Sequence, residues 1–289
     1  MNLLDQQNAE FLLNKIQESD AVLVGAGSGF SAADGHLHWY QPDEVFRKTF
    51  APFIKKYGIQ SSFDGFYYPY RTPEERWAYI ATLVNLQRQT KAGKVYKDLK
   101  ILLADKPYFI MTTNQDFLFY QDFPEERIAS IQGDSRYFQD SRGIVDELYD
   151  NKEMVEKMLA SIKPGDTKVA PETIPRMPDG TEMMPWARHP GFLEKTKYHD
   201  ECRKIREFID RWKGKKILFL ELGVGRMTPM FIQEPFWNLT YQLPFAYYIS
   251  VNPKDALLPE ALNGKGRAIH EDIARLFKDA VEMKENETN

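Results

Sequence analysis

The chain has 289 residues, 43% hydrophobic and 28% charged, which is enough for one large α/β domain or a large one carrying a smaller insert, and excludes wholesale disorder. A net charge of −4 leaves no general basic field for nucleic acid or an anionic membrane. No apolar run approaches the ~18 residues of a membrane span, residues 1–19 read as an amphipathic helix and not as a signal peptide, and the single cysteine, Cys202, fits a reducing compartment. A cytoplasmic protein with neither nucleic acid nor membrane among its partners is expected.

Phe11, Leu12 and Ile16 recur at helical spacing, so the first 19 residues predict a helix. Residues 21–24 are an apolar, β-branched run of parallel-strand length that empties into Gly25-Ala26-Gly27-Ser28-Gly29. Glycine turns are common at strand-to-helix junctions, but three glycines in five residues favour a phosphate cradle, where the backbone lets a pyrophosphate approach and first-turn N–H groups face its charge. The dehydrogenase fingerprint is disfavoured. Its third glycine falls at Phe30, and residues 36–50, which should hold the ribose-binding acid, carry a Pro-Asp-Glu helix start instead.

Further helices are predicted over 43–57, from the capping-box sequence Thr72-Pro73-Glu74-Glu75 to residue 90, and over 95–103, with an aromatic-rich loop at 58–70. Most aromatics between 36 and 90 should be packing, and some should line a pocket above the cradle. A strand over 108–111 ends in Thr112-Thr113-Asn114-Gln115-Asp116, short polar groups that suit a ligand site at a strand's carboxyl end and equally a helix cap. A short strand over 127–131 ends in Gln132-Gly133-Asp134. Then come a helix over 144–162, a stretch over 163–192 with six prolines that reads as an inserted loop or small β module, and a charged helix over 194–212. A strand over 215–222 runs into a second glycine turn, Gly223-Val224-Gly225-Arg226. A helix over 231–243, a strand over 247–251 ending at Asn252-Pro253, and a helix over 270–284 complete the chain. Alternating strands and helices predict a doubly wound, mostly parallel, Rossmann-like sheet.

Four strand-end features now stand in one order: G-A-G at 25–27, T-x-N-x-D at 112–116, x-Gly at 132–133, and G-x-G with N-P between 223 and 253. This ordered set resembles the sirtuins over roughly residues 8–283. The resemblance implies a Rossmann-like NAD-binding domain made of 1–35, 92–134 and 213–289, a helical, aromatic insert over 36–91, and a small module over 135–212 in place of the sirtuin zinc ribbon. It further implies that Gly25, Ala26, Gly27 and Ser28 bind pyrophosphate, that Thr113, Asn114, Gln115 and Asp116 hold the nicotinamide ribose and carboxamide, and that Gly223, Gly225, Arg226 and Asn252 serve the adenosine half. Arg226 read alone is equally a surface charge.

The sirtuin catalytic histidine falls at Gln132, whose carboxamide cannot take up a proton near neutral pH. The PDFR segment of deacylases falls near 35–38, where this chain reads Gly-His-Leu-His. The ribbon's cysteine pairs are missing; His189, His199 and Cys202 are three candidate ligands without a fourth, so no zinc is expected. TTNQD, glutamine for histidine and the missing cysteines resemble the class M, macrodomain-linked bacterial sirtuins. That branch implies protein ADP-ribosylation with NAD as donor, a lipoylated glycine-cleavage-H-like carrier as acceptor and a macrodomain protein as the reversing partner. Asn114, Asp116 and Gln132 are then the expected catalytic set, with Gln132 hydrogen-bonding the ribose hydroxyls. Two rival functions remain, an NAD-dependent deacylase and a non-catalytic NAD or ADP-ribose sensor.

Overall fold

The computed structural model describes residues 3–288. After helix α1 (Leu3–Glu18), whose first two expected residues lie outside those described, strand β1 (Ala21–Ala26) is buried along its whole length. Its alternation sends Val22, Val24 and Ala26 to one face and Leu23 to the other, and each face has its own core. A helix α2 (Ser28–Ala33) leaves its carboxyl end. Five short helices and turns follow: α3 (Glu44–Thr49), α4 (Ala51–Tyr57), α5 (Ser62–Phe66), α6 (Pro73–Gln89) and α7 (Lys94–Leu103). The helix expected over 43–57 is broken at Phe50, because the Pro52 ring is tolerated only in the first turn of a new helix. The loop expected over 58–70 holds α5, capped by the Ser61 hydroxyl, which accepts the Asp64 N–H. The Thr72 cap is present, with its hydroxyl accepting the Glu75 N–H.

The chain then runs through β2 (Tyr108–Thr112), α8 (Phe119–Asp122), β3 (Ile128–Ser130), β4 (Gly133–Asp140), β5 (Tyr149–Asp150), α9 (Lys152–Ser161), β6 (Met183–Ala187), α10 (Thr196–Trp212), β7 (Ile217–Leu222), α11 (Gln233–Gln242), β8 (Tyr247–Val251), β9 (Gly266–Ile269) and α12 (Ile273–Thr288). The helix expected over 144–162 begins only at Lys152. Tyr149 and Asp150 pair with β4 as strand β5 instead, and the buried Asp140 carboxylate accepts the N–H groups of Arg142, Ile144 and Val145 in the turn between.

Six strands form one parallel sheet in the order β3-β2-β1-β7-β8-β9, the doubly wound arrangement. Helices α1, α7 and α12 cover one face, and α10 and α11 the other. A second, antiparallel sheet, β5-β4-β6, contributes Phe138 and Met183 to a separate core shared with Phe46, Phe50, Trp77, Tyr79 and Val155. The aromatic block and the proline-rich stretch thus pack on each other. Because β1 lies between β2 and β7, the chain leaves it toward one face and leaves β7 toward the other, which opens the crevice where such sheets bind ligands.

The turns after β1 and β7 touch backbone to backbone. A Cβ on Gly223, whose φ is +63°, would lie 2.4 Å from both the Gly29 carbonyl carbon and the Phe30 nitrogen, whereas a Cβ on Gly225 would meet nothing within 4 Å. Gly223→Ala is therefore expected to lose about 2–4 kcal/mol, from overpacking and the left-handed backbone together. Gly225→Ala should change stability by less than about 1 kcal/mol. Urea unfolding of the two variants distinguishes a real contact between the turns from generic glycine flexibility.

Candidate active site

Both glycine turns lie at the carboxyl ends of the two central strands. The Gly27 N–H donates to the Leu222 carbonyl at 3.0 Å and the Gly29 N–H to the Gly223 carbonyl at 2.9 Å. Gly25 has a different reason to lack a side chain, since a Cβ there would run into Ile232 and Phe236 ahead of and within α11. Of the four expected cradle residues, Gly25 and Ala26 are therefore strand residues, Gly27 is tied to the opposite turn, and Ser28 opens α2, where first-turn N–H groups lack intrahelical acceptors.

The polar cluster after β2 closes on the same turn. Thr112 Oγ and the Thr113 N–H each donate to the Ala26 carbonyl at 3.1 Å. Asn114 is buried, and its Nδ2 donates to the Gly27 carbonyl and to Ser31 Oγ, both at 3.0 Å. Ser31 Oγ in turn lies 2.6 Å from Asp116 Oδ2 and 2.9 Å from the Tyr96 hydroxyl. With Asp116 as a carboxylate these contacts fix the protons. With Asn114 donating, the Ser31 hydroxyl donates to Asp116 and accepts from Tyr96, which satisfies every position it has. Burial pushes the Asp116 carboxyl up, against the Ser31 hydroxyl, the Leu118 N–H and the charge of His36, while Asp134 pushes it further up. Ser31 and Tyr96 were not singled out from sequence. The available signal was a lone serine one helical turn beyond the cradle, in the apolar run Phe30-Ser31-Ala32-Ala33.

Gln132 is half-buried. Its backbone carbonyl accepts from Gln115 Nε2 and from the Arg188 N–H, each at 3.0 Å. Gly133 follows at φ +98°, where a Cβ would sit 2.0 Å from the Trp186 carbonyl, so the Gln132 turn is locked to β6 by backbone. Arg188, absent from the sequence-based set, stacks its guanidinium over Phe192 at 4.7 Å and over Phe231 at 5.1 Å, bridging the small sheet to the loop after β7, and pairs with Glu194. Phe117, next to Asp116, is held at φ +46°, a strain of order 1–3 kcal/mol of the kind found at functional sites.

On the other side of the crevice, Asn252 Nδ2 donates to the Val224 carbonyl at 3.1 Å, and its Oδ1 accepts the Lys254 and Asp255 N–H groups at 3.0 Å. Its carboxamide thus shapes the second glycine turn from within. Arg226 is exposed and 3.7 Å from Asp255. Behind this turn the fully buried Glu221 accepts from Tyr248 at 2.5 Å, Ser250 at 2.9 Å and Gln233 at 3.0 Å, tying β7, β8 and the start of α11 together. Among the described residues no three or more His, Cys, Asp or Glu side chains are grouped as a metal site would need, and no helix is long and apolar enough to cross a membrane.

At the switch point of the six-stranded parallel sheet, where α/β folds bind their ligands, two glycine turns and a carboxamide–hydroxyl–carboxylate chain come together. Over 286 residues the chain is 29% identical to a protein ADP-ribosyltransferase of Staphylococcus aureus, covering 96% of this chain and 89% of that one. It is 28% identical over 229 residues to a probable bifunctional ADP-ribose hydrolase/ADP-ribosyltransferase of Fusarium oxysporum f. sp. cubense, covering 76% of this chain and 38% of that larger protein. No family model matches. Among solved structures, a Sir2 homologue in complex with ADP-ribose covers 96% of this chain and 97% of its own, with a TM-score of 0.59 and 14% identity. A Sir2 protein bound to a propionylated peptide gives a TM-score of 0.62 at 15% identity, covering 96% of this chain and 98% of its own. By fold the chain is sirtuin-like, and by sequence it sides with the ADP-ribosyltransferases.

Ser31→Ala removes the one hydroxyl that serves Asn114, Asp116 and Tyr96 at once. The expected cost is about 2–4 kcal/mol, because buried groups lose partners that water does not replace. Denaturant unfolding checks it, and a cost below about 0.5 kcal/mol would mean that the chain of hydrogen bonds is not closed in solution.

Proposed function

We propose that the protein is an NAD-dependent protein ADP-ribosyltransferase of the sirtuin type, acting in the cytoplasm. The observation that carries this reading is the Asn114–Ser31–Asp116 chain, a hydrogen-bonded, partly buried polar edge beside the glycine turns, combined with a carboxamide at Gln132 where deacylases have a base. The donor set fits the dinucleotide. Ser28 lies at the turn suited to pyrophosphate, the open side of Gly225 at the turn suited to the adenosine half, and Asn114, Asp116 and Gln132 at the end suited to the nicotinamide ribose. When bound, NAD supplies the N-glycosidic bond whose cleavage releases nicotinamide.

Asn114 orients, because both protons of its Nδ2 are already committed to the turn and to Ser31, which leaves its carbonyl oxygen as the group to face the ligand. Asp116 as an anion stabilises the positive charge that develops as nicotinamide departs. Gln132 holds the ribose hydroxyls by hydrogen bonds and moves no proton. A deacylase needs a base that deprotonates a ribose hydroxyl after the first step. With an amide there, the reaction stops at transfer to a protein nucleophile.

For the acceptor we propose a lipoylated glycine-cleavage-H-like carrier, and for the reversing partner a macrodomain protein. The likeness of TTNQD and Gln132-Gly133 to the class M branch supports both, and the Fusarium relative's combination of hydrolase with transferase in one name supports the second. Mass spectrometry of carriers incubated with labelled NAD tests the pairing; equal labelling of lipoylated and unmodified carrier counts against the lipoyl link.

Asn114→Ala is expected to abolish nicotinamide release while ADP-ribose binding changes much less, measured by product assay and calorimetry. Gln132→Ala should slow transfer, since one positioned hydrogen bond at a transition state is worth roughly 2–4 kcal/mol. Gln132→His restores an imidazole but leaves residues 35–38 unlike the deacylase segment, so little or no deacylation of acyl-lysine peptides is expected. Robust deacylation by that variant would contradict a pocket built for another acceptor.

A further inference from the structure

Asp116 is held through both of its chain neighbours by elements outside its own loop. On one side the Ser135 N–H donates to the Gln115 carbonyl at 3.2 Å, and the Gln115 side chain donates to the Gln132 carbonyl at 3.0 Å. On the other side stands Phe117 with φ +46°, a left-handed backbone that is unfavourable for a residue with a bulky side chain. Its ring is half-buried and belongs to none of the hydrophobic clusters that make up the cores, so core packing does not account for that conformation. What the ring meets is Arg88, in the last turn of α6, whose guanidinium carbon lies 6.0 Å from the ring centroid, at cation–π distance.

The Arg88 guanidinium is itself fixed. Its Nη2 donates to Asn151 Oδ1 at 2.6 Å, Asp150 lies farther off at 3.9 Å, and Nε is buried with no hydrogen-bond partner among the described residues. A cation in the last turn of a helix is favourable on its own account, but leaving one N–H buried and unpaired is a cost that a surface arginine would not carry. Asn151 is fully buried ahead of α9; its Nδ2 donates to the Ser135 carbonyl at 2.8 Å and its N–H to the Arg136 carbonyl at 3.0 Å. The contacts therefore close a ring that runs from Phe117 through Arg88, Asn151 and Ser135 to Gln115, with Asp116 the residue between its two ends.

Building on the NAD-cleaving reading of the site, we propose that Arg88 is a positioning residue: anchored on Asn151, it holds the Phe117 ring and with it the left-handed backbone that sets the orientation of the Asp116 carboxylate. Two bonds depend on that orientation, from the Leu118 N–H to Asp116 Oδ1 at 3.3 Å and from the Ser31 hydroxyl to Oδ2 at 2.6 Å. Asp116 and Phe117 share a peptide plane, so a Phe117 that relaxes to negative φ turns Asp116 with it. Arg88 comes from the helical insert and Asn151 from the small module, so both regions outside the parallel sheet bear on the one carboxylate beside the crevice.

Amide hydrogen exchange in Arg88→Met, which keeps the apolar stem and loses the donors, is the first test. The Leu118 and Ser135 N–H groups should exchange about tenfold faster than in the wild type, while the Gly27 N–H, in the join between the glycine turns, is unchanged. An unchanged Leu118 overturns the proposal, and so does equal acceleration of all three, which marks general destabilisation. The second test is nicotinamide release. In Arg88→Met kcat should fall about tenfold with KM for NAD within about twofold, because the Asp116 charge acts on the transition state more than on bound NAD. Phe117→Gly should lose a similar factor although it frees the backbone of strain, and adding Arg88→Met to it should change kcat by less than about twofold. A wild-type kcat in Phe117→Gly, or losses that multiply in the double variant, overturn the proposal. A wild type that releases no nicotinamide refutes the functional reading instead, and amide exchange then decides the role of Arg88 on its own.

Discussion

The site depends on the contact between two turns that carry no side chains at the point of contact. Gly27 and Gly29 after β1, and Gly223 after β7, approach so closely that a methyl group on any of the three would sit within 3 Å of the opposite backbone. Two N–H groups close the contact, from Gly27 to Leu222 and from Gly29 to Gly223. The glycines are therefore required first by the join between neighbouring strand ends, and only then by whatever binds above it. A turn held this way has little freedom to rearrange, so groups hung from it keep their positions without help from long side chains.

Asn114 exploits that rigidity. It reaches from the end of β2 to a carbonyl in the β1 turn, so three consecutive strand ends, β2, β1 and β7, are linked in a row by short polar contacts. The chain then continues through Ser31 to Asp116 and Tyr96. Shielding a carboxylate from water is costly, and at Asp116 the Ser31 hydroxyl and the Leu118 N–H offset part of that cost. Glu221 is a parallel case on the far side of β7, satisfied by two hydroxyls and an amide. The contrast is informative: Glu221 is enclosed between β8 and α11 and braces the sheet, whereas Asp116 lies beside the crevice, where its charge can act on a ligand.

The doubly wound sheet was legible in the sequence because buried parallel strands read as short apolar runs, and β1, β2, β7 and β8 all do. Strand β9 was not, because three of its four residues are only partly buried and no apolar run marks it. The helix expected over 144–162 failed at its first half for a reason outside the local pattern, the pairing of Tyr149 and Asp150 with β4 as a strand. Motif order brought out Asn114, Asp116 and Gln132. Ser31 and Tyr96 escaped it because their meaning lies in contacts across the fold. Tyr96 comes to Ser31 from 65 residues away, and Asp116 from 85.

The replacement of histidine by Gln132 alters more than one proton transfer. The Gln132 turn is fixed by its backbone, through Gln115, Arg188 and the tight approach of Gly133 to Trp186, so its location does not depend on which side chain it carries. A base can therefore be exchanged for an amide without disturbing the frame. What the amide withdraws is a titratable group. The exchange removes a group that could take up a proton and keeps a hydrogen-bonding one at the same place in the frame.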